Sequence, residues 1–462
     1  MSHRRALAAL IGVLIAATGG LAMGATVGVQ PRAVSSNSAF PLPSPVPVPS
    51  LPPVLPASTP TQTPPGAPAA PNGYSGLAGV PAGTYLLTTR LLGTGSRAGV
   101  AVDGAVVWAG QVATTGQTLS VPVHIAGPGS RITTSLPVAG GVKLSPAPPQ
   151  YTVAGNRILD QNGNTVIFRG VNRNGLDYQT TLYWGGWEDI AAMGDWGATI
   201  VRLELSEDFW LPQSCLYDPN YANLVDAEVT MIHAKGMVAL LDLHSTLSTT
   251  ACPAKAERHN MADIHALDFW RSVAARYKDR PYVAFDLFNE PVNISPQVWR
   301  NGGEMNGWQA AGMQQMYDAV RSTGATNLIF VSGLQFAFDL TPALLDPLDG
   351  YGIVYAPHVY YNGACSIMDP RAPGVWGPVG AVYPIVITEF GTPCPTGVYP
   401  ASVITYAELN HYGWIAYLWA DHDNGGAYGM LASMQTHEPN LQGQPVEAAL
   451  LHARGWVKPG GP

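Results

Sequence analysis

Short apolar runs recur from residue 151 onward and alternate with stretches of helical periodicity. A strand covered on both faces is apolar at nearly every position, so each run is typical of a buried strand. Eight such runs occur, at 167–172, 199–205, 237–243, 283–288, 327–331, 352–357, 384–388 and 414–418. Amphipathic periodicity between them predicts helices that include 221–235, 263–278, 304–323 and 402–411. This alternation predicts an α/β fold, a (β/α)8 TIM barrel, over residues 151–458.

A different pattern precedes the barrel. Residues 74–146 contain short runs separated by Gly, Asp-Gly and Pro-Gly turns, which predicts a small β-sandwich-like module. Tyr85 and Trp108 are its candidates for a sugar platform, so carbohydrate binding and a spacer role both stay open. Residues 158–168 predict a hairpin that turns at Asn162 and Gly163.

The first 73 residues predict export followed by a spacer. A basic start at Arg4 and Arg5 leads into an uncharged segment of small residues, so residues 1–34 predict a signal peptide. The alternative is an uncleaved membrane anchor, because the uncharged segment reaches the roughly 20 residues that span a bilayer. Residues 35–73 are dominated by Pro and predict a semi-rigid linker. We expect the remaining chain to be secreted, or tethered to a membrane or cell surface.

Composition narrows the range of partners. The chain carries 23 Lys and Arg residues against 31 Asp and Glu residues, a formal net charge of -8, and 47% of its residues are hydrophobic. Such a chain can build a large core, and it has no basic surface to attract nucleic acid or anionic lipid. A neutral polysaccharide imposes no charge requirement on its partner, and we expect a monomer.

Four cysteines fit an oxidising compartment, because no Cys-x-x-Cys spacing indicates a zinc or redox site. Cys215 and Cys252 follow the second and third predicted strands, and Cys365 and Cys394 follow the sixth and seventh. Three connectivities are open to four cysteines, but loops on neighbouring strands favour one of them. We therefore predict the disulfides Cys215–Cys252 and Cys365–Cys394.

Two glutamates mark the ends of apolar runs. Glu290 follows the fourth run in Asn289-Glu290-Pro291, and Glu389 follows the seventh in Thr388-Glu389-Phe390. In such barrels the catalytic groups come from the carboxyl ends of the strands. Further polar or aromatic candidates stand in or after other strands: Arg202, His244, Asn289, His358, Tyr360 and Trp419.

A pair of carboxylates suits the cleavage of a glycosidic bond, which needs one protonated acid and one ionised carboxylate. Arg202 would keep one carboxylate ionised, and the acid would need a pKa raised by burial and by its negative partner. Asn289 can donate to the sugar hydroxyl next to the reacting carbon, and Trp419 offers an apolar plate for a sugar ring. Strand position alone does not decide which glutamate attacks.

These motifs together resemble glycoside hydrolase family 5, the retaining cellulase-like barrels, over about residues 151–456. The resemblance rests on segments 168–172, 201–203, 241–244, 288–291, 358–360, 387–391 and 418–419. It implies that Glu290 is the acid/base and Glu389 the nucleophile. It also implies that Arg202 and Tyr360 tune the nucleophile, that His244, Asn289 and His358 hold the substrate or the acid/base, and that Trp419 forms a sugar subsite.

We therefore expect a secreted retaining endo-β-1,4-glycosidase that acts by double displacement, with β-1,4-glucan as the expected polysaccharide substrate and no cofactor or metal. The alternatives are a β-mannanase or another β-glycan or glycolipid hydrolase of the same family, and a catalytically silent glycan-binding surface protein.

Two roles stay open for three tryptophans, which could line distal subsites or pack in the core: Trp184, Trp187 and Trp210. A solvated or substrate-contacting loop is favoured over a metal site for the segment Asp421, His422 and Asp423. Asp160 and its neighbours resemble the start of a calcium loop, but the downstream glutamate and the flanking helices of such a loop are absent.

Overall fold

The computed structural model describes residues 72–74, 77, 80–147, 150–178, 186–245, 259–360, 365 and 368–455, which belong to one compact unit spanning Gln62–Pro462. The predicted export segment, nearly all of the Pro-rich linker, Trp184 and Cys252 lie outside these residues. Among the residues described, no helix is long and apolar enough to cross a membrane.

Eight parallel strands form the central sheet, and they fall on the eight predicted runs. In chain order they are Arg169–Arg173, Ile200–Ser206, Val238–Ser245, Val283–Asp286, Ile329–Val331, Ile353–Tyr355, Val386–Ile387 and Gly413–Ala416. Each strand pairs with its neighbours in sequence, and the eighth pairs with the first. A bridge between Tyr355 and Ile385 joins the sixth strand to the seventh and brings the sheet to a nearly closed barrel. The predicted (β/α)8 barrel is confirmed.

Helices cover the outside of the barrel because their apolar faces pack on strands that are buried on both sides. They are Trp187–Trp196, Glu207–Trp210, Tyr221–Ala234, Ala266–Tyr277, Pro296–Asn301, Met313–Ser322, Pro342–Leu345, Ala372–Gly380, Val398–Leu409 and Gly443–Ala453. A further short helix, His422–Gly425, follows the eighth strand and has no buried residue.

One predicted helix is partly wrong. The segment 304–323 begins as a hairpin of strands Gly303–Met305 and Trp308–Ala310, and only Met313–Ser322 is helical. Gly302 and Gly307 adopt positive φ at the start and turn of this hairpin, which a helix would not accommodate.

The region before the barrel consists of two small antiparallel sheets. One contains Asn72–Tyr74, Gly95–Val102, Ala105–Val112 and Ile132–Thr134, and the other Gly83–Leu91, Gln117–Ile125 and Val138–Pro146. Their buried side chains form a core of their own, which includes Trp108. The module lies against the amino-terminal ends of barrel strands, since Ala109 pairs with Gly350 and Arg97 contacts Asp349 at 3.5 Å.

A three-stranded sheet of Thr152–Ala154, Arg157–Leu159 and Thr165–Val166 contains the predicted hairpin. Asp160 accepts hydrogen bonds from the backbone of Asn162 and Asn164, so this carboxylate caps the turn. Ile158 packs with the first residues of the barrel strands, and the hairpin therefore closes the amino-terminal end of the barrel.

The predicted disulfide Cys365–Cys394 is confirmed, with Cα atoms 5.8 Å apart. It links the segments that follow the sixth and seventh strands. Cys215 is also disulfide-bonded, but its predicted partner Cys252 lies outside the described residues.

Candidate active site

The carboxyl ends of the strands bring both glutamates to one face of the barrel. Glu389 begins a short strand, Glu389–Gly391, that pairs in parallel with His358–Tyr360, and His358 lies directly opposite Glu389 in the register. Glu389 is 3% exposed. Oε1 of this side chain accepts a hydrogen bond from Nη1 of Arg202 at 2.6 Å, and Oε2 accepts one from the Tyr360 hydroxyl at 2.5 Å. Both carboxylate oxygens are thus held by donors.

Glu290 faces Glu389 and is more open, with a side chain 26% exposed. Nδ1 of His358 lies 2.9 Å from Oε1 of Glu290 and 3.6 Å from Oε2 of Glu389, so the imidazole stands between the two carboxylates. One ligand atom from each of the three side chains lies within 4.8 Å of the others. The two carboxylates are therefore close enough to act on one bond.

The pKa of Glu290 differs from the expectation. Burial raises this pKa, but the hydrogen bond with His358 and the positive charges of His358, His244 and Arg202 outweigh burial and leave the pKa below its usual range. The prediction that burial and the negative partner raise the pKa of the acid is thus wrong for the free protein.

Arg202 is fully buried and joins three carboxylates. Besides Glu389, it contacts Oδ2 of Asp286 through Nε at 2.9 Å and Oδ2 of Asp242 through Nη2 at 3.0 Å. Burial raises the pKa of Asp286 to about 7, with Arg202 lowering it and the neighbouring carboxylates raising it further. The sequence prediction included Arg202 but missed Asp242 and Asp286.

Two asparagines complete the surroundings of Arg202. Oδ1 of Asn289 accepts from Nη2 of Arg202 at 2.9 Å, and Oδ1 of Asn172 accepts from Nη1 at 3.1 Å. Because the oxygen of Asn289 is taken by Arg202, its Nδ2 group is the part that can donate to a ligand. Asn172 donates in turn to the carbonyl of Thr388, one residue before Glu389.

His244 lies on the other side of Asp242. Nδ1 of His244 is 2.8 Å from Oδ2 of Asp242, and Nε2 is 3.8 Å from Oε2 of Glu204. Burial lowers the pKa of His244, but Glu204 and Asp242 outweigh burial and raise it to about 10. The imidazole is therefore positively charged at neutral pH.

The arrangement as a whole suits acid/base and nucleophilic chemistry on an acetal. One carboxylate is fixed by two donors, the other is partly open, and a histidine bridges them. Among the described residues, two groups have donor atoms close enough to surround a metal ion: Asp177 with Glu204 and His244, and Glu290 with His358 and Glu389. Asp421, which belongs to the segment considered for a metal site from the sequence, caps the helix His422–Gly425.

Comparison with known proteins agrees with this geometry. Residues 159–423 match the family described as Cellulase (glycosyl hydrolase family 5), which covers more than half of the chain and includes both glutamates. The chain belongs to glycosyl hydrolase family 5. It is accordingly a glycoside hydrolase.

Among relatives of this family 5 hydrolase, an endoglucanase of Paenibacillus polymyxa is 26% identical over 342 residues, covering 61% of this chain and 82% of the relative. Endoglucanase N of Pectobacterium atrosepticum is 24% identical, with 61% of this chain and 60% of the relative covered. The solved structure of a β-glucanase from Saccharophagus degradans shares the fold, with a TM-score of 0.53, 24% identity, and coverage of 67% of this chain and 94% of that chain.

Trp419 does not match its predicted role in this family 5 hydrolase. Its side chain has no exposed surface, packs edge-on against Trp196 with ring centroids 4.7 Å apart, and stacks on His437 at 5.9 Å. A fully buried ring offers no face to a sugar, so Trp419 packs beneath the site. Trp210 is also a packing residue, buried against Phe269.

An exposed aromatic residue was missed at the end of the fifth strand. Phe336 is 56% exposed, and its backbone N–H donates to the carbonyl of Pro291, the residue after Glu290. Gln335, Phe336 and Ala337 all have positive φ, a costly conformation that is concentrated at functional sites. No sequence pattern marks these residues, because none of the three is a glycine.

Proposed function

We propose that this family 5 hydrolase is a retaining endo-β-1,4-glucanase in which Glu389 is the nucleophile and Glu290 the acid/base. The observation that carries the proposal is the pair of carboxylates, with oxygens within 4.8 Å of each other. Retaining glycosidases hold their carboxyl groups about 5–5.5 Å apart, whereas inverting enzymes leave about 6.5–9.5 Å for a water molecule. The separation favours direct attack by a carboxylate.

The surroundings of the two glutamates support the division of roles. A nucleophile must stay ionised, and Glu389 has the buried guanidinium of Arg202 and the hydroxyl of Tyr360 on its oxygens. An acid/base must reach both a leaving group and a water molecule, and Glu290 is the more exposed of the two. The same geometry argues against a catalytically silent glycan-binding protein, because both carboxylates are present with oxygens within 4.8 Å of each other.

The reaction then proceeds in two displacements. Glu389 attacks the anomeric carbon while Glu290 gives its proton to the leaving oxygen, so the glycosidic bond breaks as the glycosyl-enzyme ester forms. Glu290, now a carboxylate, takes a proton from water, and the resulting hydroxide attacks the anomeric carbon and releases Glu389. Nδ2 of Asn289 donates to the sugar hydroxyl beside the reacting carbon.

Protonation of Glu290 requires a change on substrate binding, because its pKa is lowered in the free protein. A bound sugar covers the exposed part of Glu290 and removes the water that solvates its charge. Desolvation favours the neutral acid, so the substrate itself raises the pKa of the group that must protonate it.

The expected substrate is a β-1,4-glucan. The two curated relatives are named endoglucanases, and the exposed ring of Phe336 beside Pro291 offers an apolar face on the leaving-group side of Glu290. Aromatic rings with one open face are suited to the apolar face of a sugar ring.

We also propose that the enzyme is exported and monomeric, with residues 1–34 as signal peptide or anchor, 35–73 as linker and 74–146 as a separate module. The disulfide Cys365–Cys394 fits an oxidising compartment. The module contacts the amino-terminal ends of the barrel strands, opposite the glutamates, which favours a structural role over an extension of the substrate cleft.

The test compares the full-length protein with Glu389→Gln, Glu290→Gln and the control Asp279→Asn on carboxymethylcellulose, mannan, xyloglucan and dinitrophenyl β-cellobioside. Asp279 is exposed just before the fourth strand, at the opposite end of the barrel. We expect Glu389→Gln to be inactive on every substrate. Glu290→Gln should keep the first step on the dinitrophenyl substrate, whose leaving group needs no acid, and added azide should then yield a β-glycosyl azide.

Proton NMR of the first product of the wild-type enzyme tests retention. An α-configured product, or equal activity of Glu389→Gln and the wild type, would contradict the mechanism. Cleavage of mannan alone would keep the mechanism and replace the substrate.

A further inference from the structure

A second polar cluster lies beside the catalytic glutamates, at the ends of the first three strands. It consists of Asp177, Glu204 and His244, and one ligand atom from each lies within 4.8 Å of the others. Glu204 is 1% exposed and Oε1 of its carboxyl group has no hydrogen-bond partner. A buried polar atom without a partner costs free energy and points to a ligand that would satisfy it.

The orientation of His244 is fixed toward this cluster. Its Nδ1 is 2.8 Å from Asp242, so the ring turns Nε2 toward Oε2 of Glu204. The separation of 3.8 Å between Nε2 and Oε2 is too long for a direct hydrogen bond. A donor and a carboxyl oxygen therefore face each other across a space that one further oxygen atom can bridge.

The dimensions of the cluster fit a single oxygen atom. If three atoms lie within 4.8 Å of one another, one point lies no more than about 2.8 Å from each of them, which is the length of an ordinary hydrogen bond. The same bound admits a metal ion, which binds its ligands at about 2.0–2.6 Å, but the charged imidazole of His244 has no lone pair to offer a metal.

The donors and acceptors of the cluster complement a hydroxyl group. The charged His244 donates from Nε2, and the carboxyl groups of Glu204 and Asp177 supply acceptor oxygens. A hydroxyl group has two lone pairs and one proton, so it can accept from His244 and donate to one of the two carboxyl groups.

The cluster lies on the glycone side of the catalytic pair. Asp242 contacts both His244 and Arg202, and Arg202 holds Glu389, so the cluster is joined to the nucleophile through shared hydrogen bonds. Phe336 and Pro291, on the leaving-group side of Glu290, follow the fifth and fourth strands. A glucan that crosses the barrel with its leaving group over those strands places its glycone over the first three.

We propose that Asp177, Glu204 and His244 form a cup that binds one hydroxyl group of the glycone sugar and selects substrates that carry that hydroxyl. The inference rests on the proposed function and adds Asp177 and Glu204 to the residues that contact the substrate. The cup binds through hydrogen bonds alone and takes no part in bond breaking.

The experiment is a double-mutant cycle between enzyme and substrate. Wild type, Glu204→Ala, Glu204→Gln and the control Asp279→Ala are assayed on nitrophenyl β-cellobioside and on analogues that each lack one glycone hydroxyl. For one analogue we expect the wild type and the control to lose roughly 10-fold in kcat/KM, the value of about one hydrogen bond. Glu204→Ala should lose roughly 10-fold on the parent substrate and nothing further on that analogue. Glu204→Gln, which keeps a side-chain oxygen at this position, should lose less than Glu204→Ala.

Suppose that the wild type cleaves the parent substrate and that Glu204→Ala loses the same factor in kcat/KM as the wild type on every analogue. This result would overturn the cup and leave the proposed function intact. A wild type inactive on all glucans would overturn both. Calorimetric titration of wild type with Zn²⁺ and Ca²⁺ should show no binding that depends on Glu204, and such binding would replace the cup with a cation site. If Glu204→Ala fails to fold by circular dichroism, the cycle is completed with Glu204→Gln and Asp177→Asn.

Discussion

The charge on His244 makes the stability of this enzyme depend on pH in the neutral to alkaline range. The pKa of His244 is about 10 in the folded protein against 6.5 for the ordinary side chain, because Glu204 and Asp242 outweigh the effect of burial. A folded pKa above the unfolded one stabilises the protein fully below pH 6.5, and this stabilisation is lost as the pH rises through 10. We therefore predict that Asn at position 244 removes a pH dependence that the wild type shows.

The size of the effect follows from the two pKa values. Each pKa unit corresponds to 1.36 kcal/mol, so a rise from 6.5 to about 10 corresponds to roughly 5 kcal/mol in the free energy of unfolding. The histidine side chain is 13% exposed, so solvent screening removes only a small part of this value. Between pH 7 and 9.5 the slope from this group alone is about 1.4 kcal/mol per pH unit.

The assay is urea unfolding of the wild type and His244→Asn at intervals from pH 6 to 10, with His422→Asn as the control. The side chain of His422 is 85% exposed, and its substitution should leave the curve unchanged. The difference in unfolding free energy between wild type and His244→Asn should shrink steadily as the pH rises. A difference that stays constant over this range would mean that His244 is neutral, and would refute the charged imidazole.

Three further outcomes follow from other contacts. Since the hydrogen bond and charge of His358 lower the pKa of Glu290, His358→Gln should move the alkaline limb of kcat/KM to higher pH in a pH-rate profile; an unmoved limb would contradict this coupling. Phe336→Ala should reduce kcat/KM on cello-oligosaccharides roughly 10-fold, or about 1.4 kcal/mol, with an unchanged urea midpoint, because its ring is exposed. Gly350→Ala places a Cβ 2.2 Å from the Tyr317 hydroxyl, so it should cost about 1–3 kcal/mol by urea unfolding, whereas Gly374→Ala, which meets no atom within 4 Å, should not.

The barrel and the two glutamates at the carboxyl ends of its strands could be predicted because parallel strands leave a strong local pattern. Each strand is buried on both faces, so its sequence is a short apolar run, and the residue that ends the run stands at the face where catalysis occurs. Glu290, Glu389 and His358 were found by this rule alone. The hairpin at 303–310 escaped it, since its two short strands have mixed exposure and the following helix extends the helical pattern backward.

The residues that were missed lie inside the runs instead of at their ends. Glu204, Asp242 and Asp286 pair in register across the second, third and fourth strands, so they point to the same side of the sheet. The available signal was a charged residue within an otherwise apolar strand, which is costly unless a partner compensates it. Trp419 shows the opposite error, because a tryptophan at a strand end has the same sequence pattern whether its ring is open or covered by Trp196.

This row of carboxyl groups explains how one arginine can hold Glu389, the proposed nucleophile. Asp242 and Asp286 compete with Glu389 for the guanidinium of Arg202, and three negative charges around one positive charge would weaken its hold on each. The imidazolium of His244 compensates Asp242 from the far side, and the pKa of Asp286, raised to about 7, lets that group take up a proton below neutrality. The acids around Arg202 thus fix its guanidinium in position, while the charge of His244 and the raised pKa of Asp286 limit their competition with Glu389.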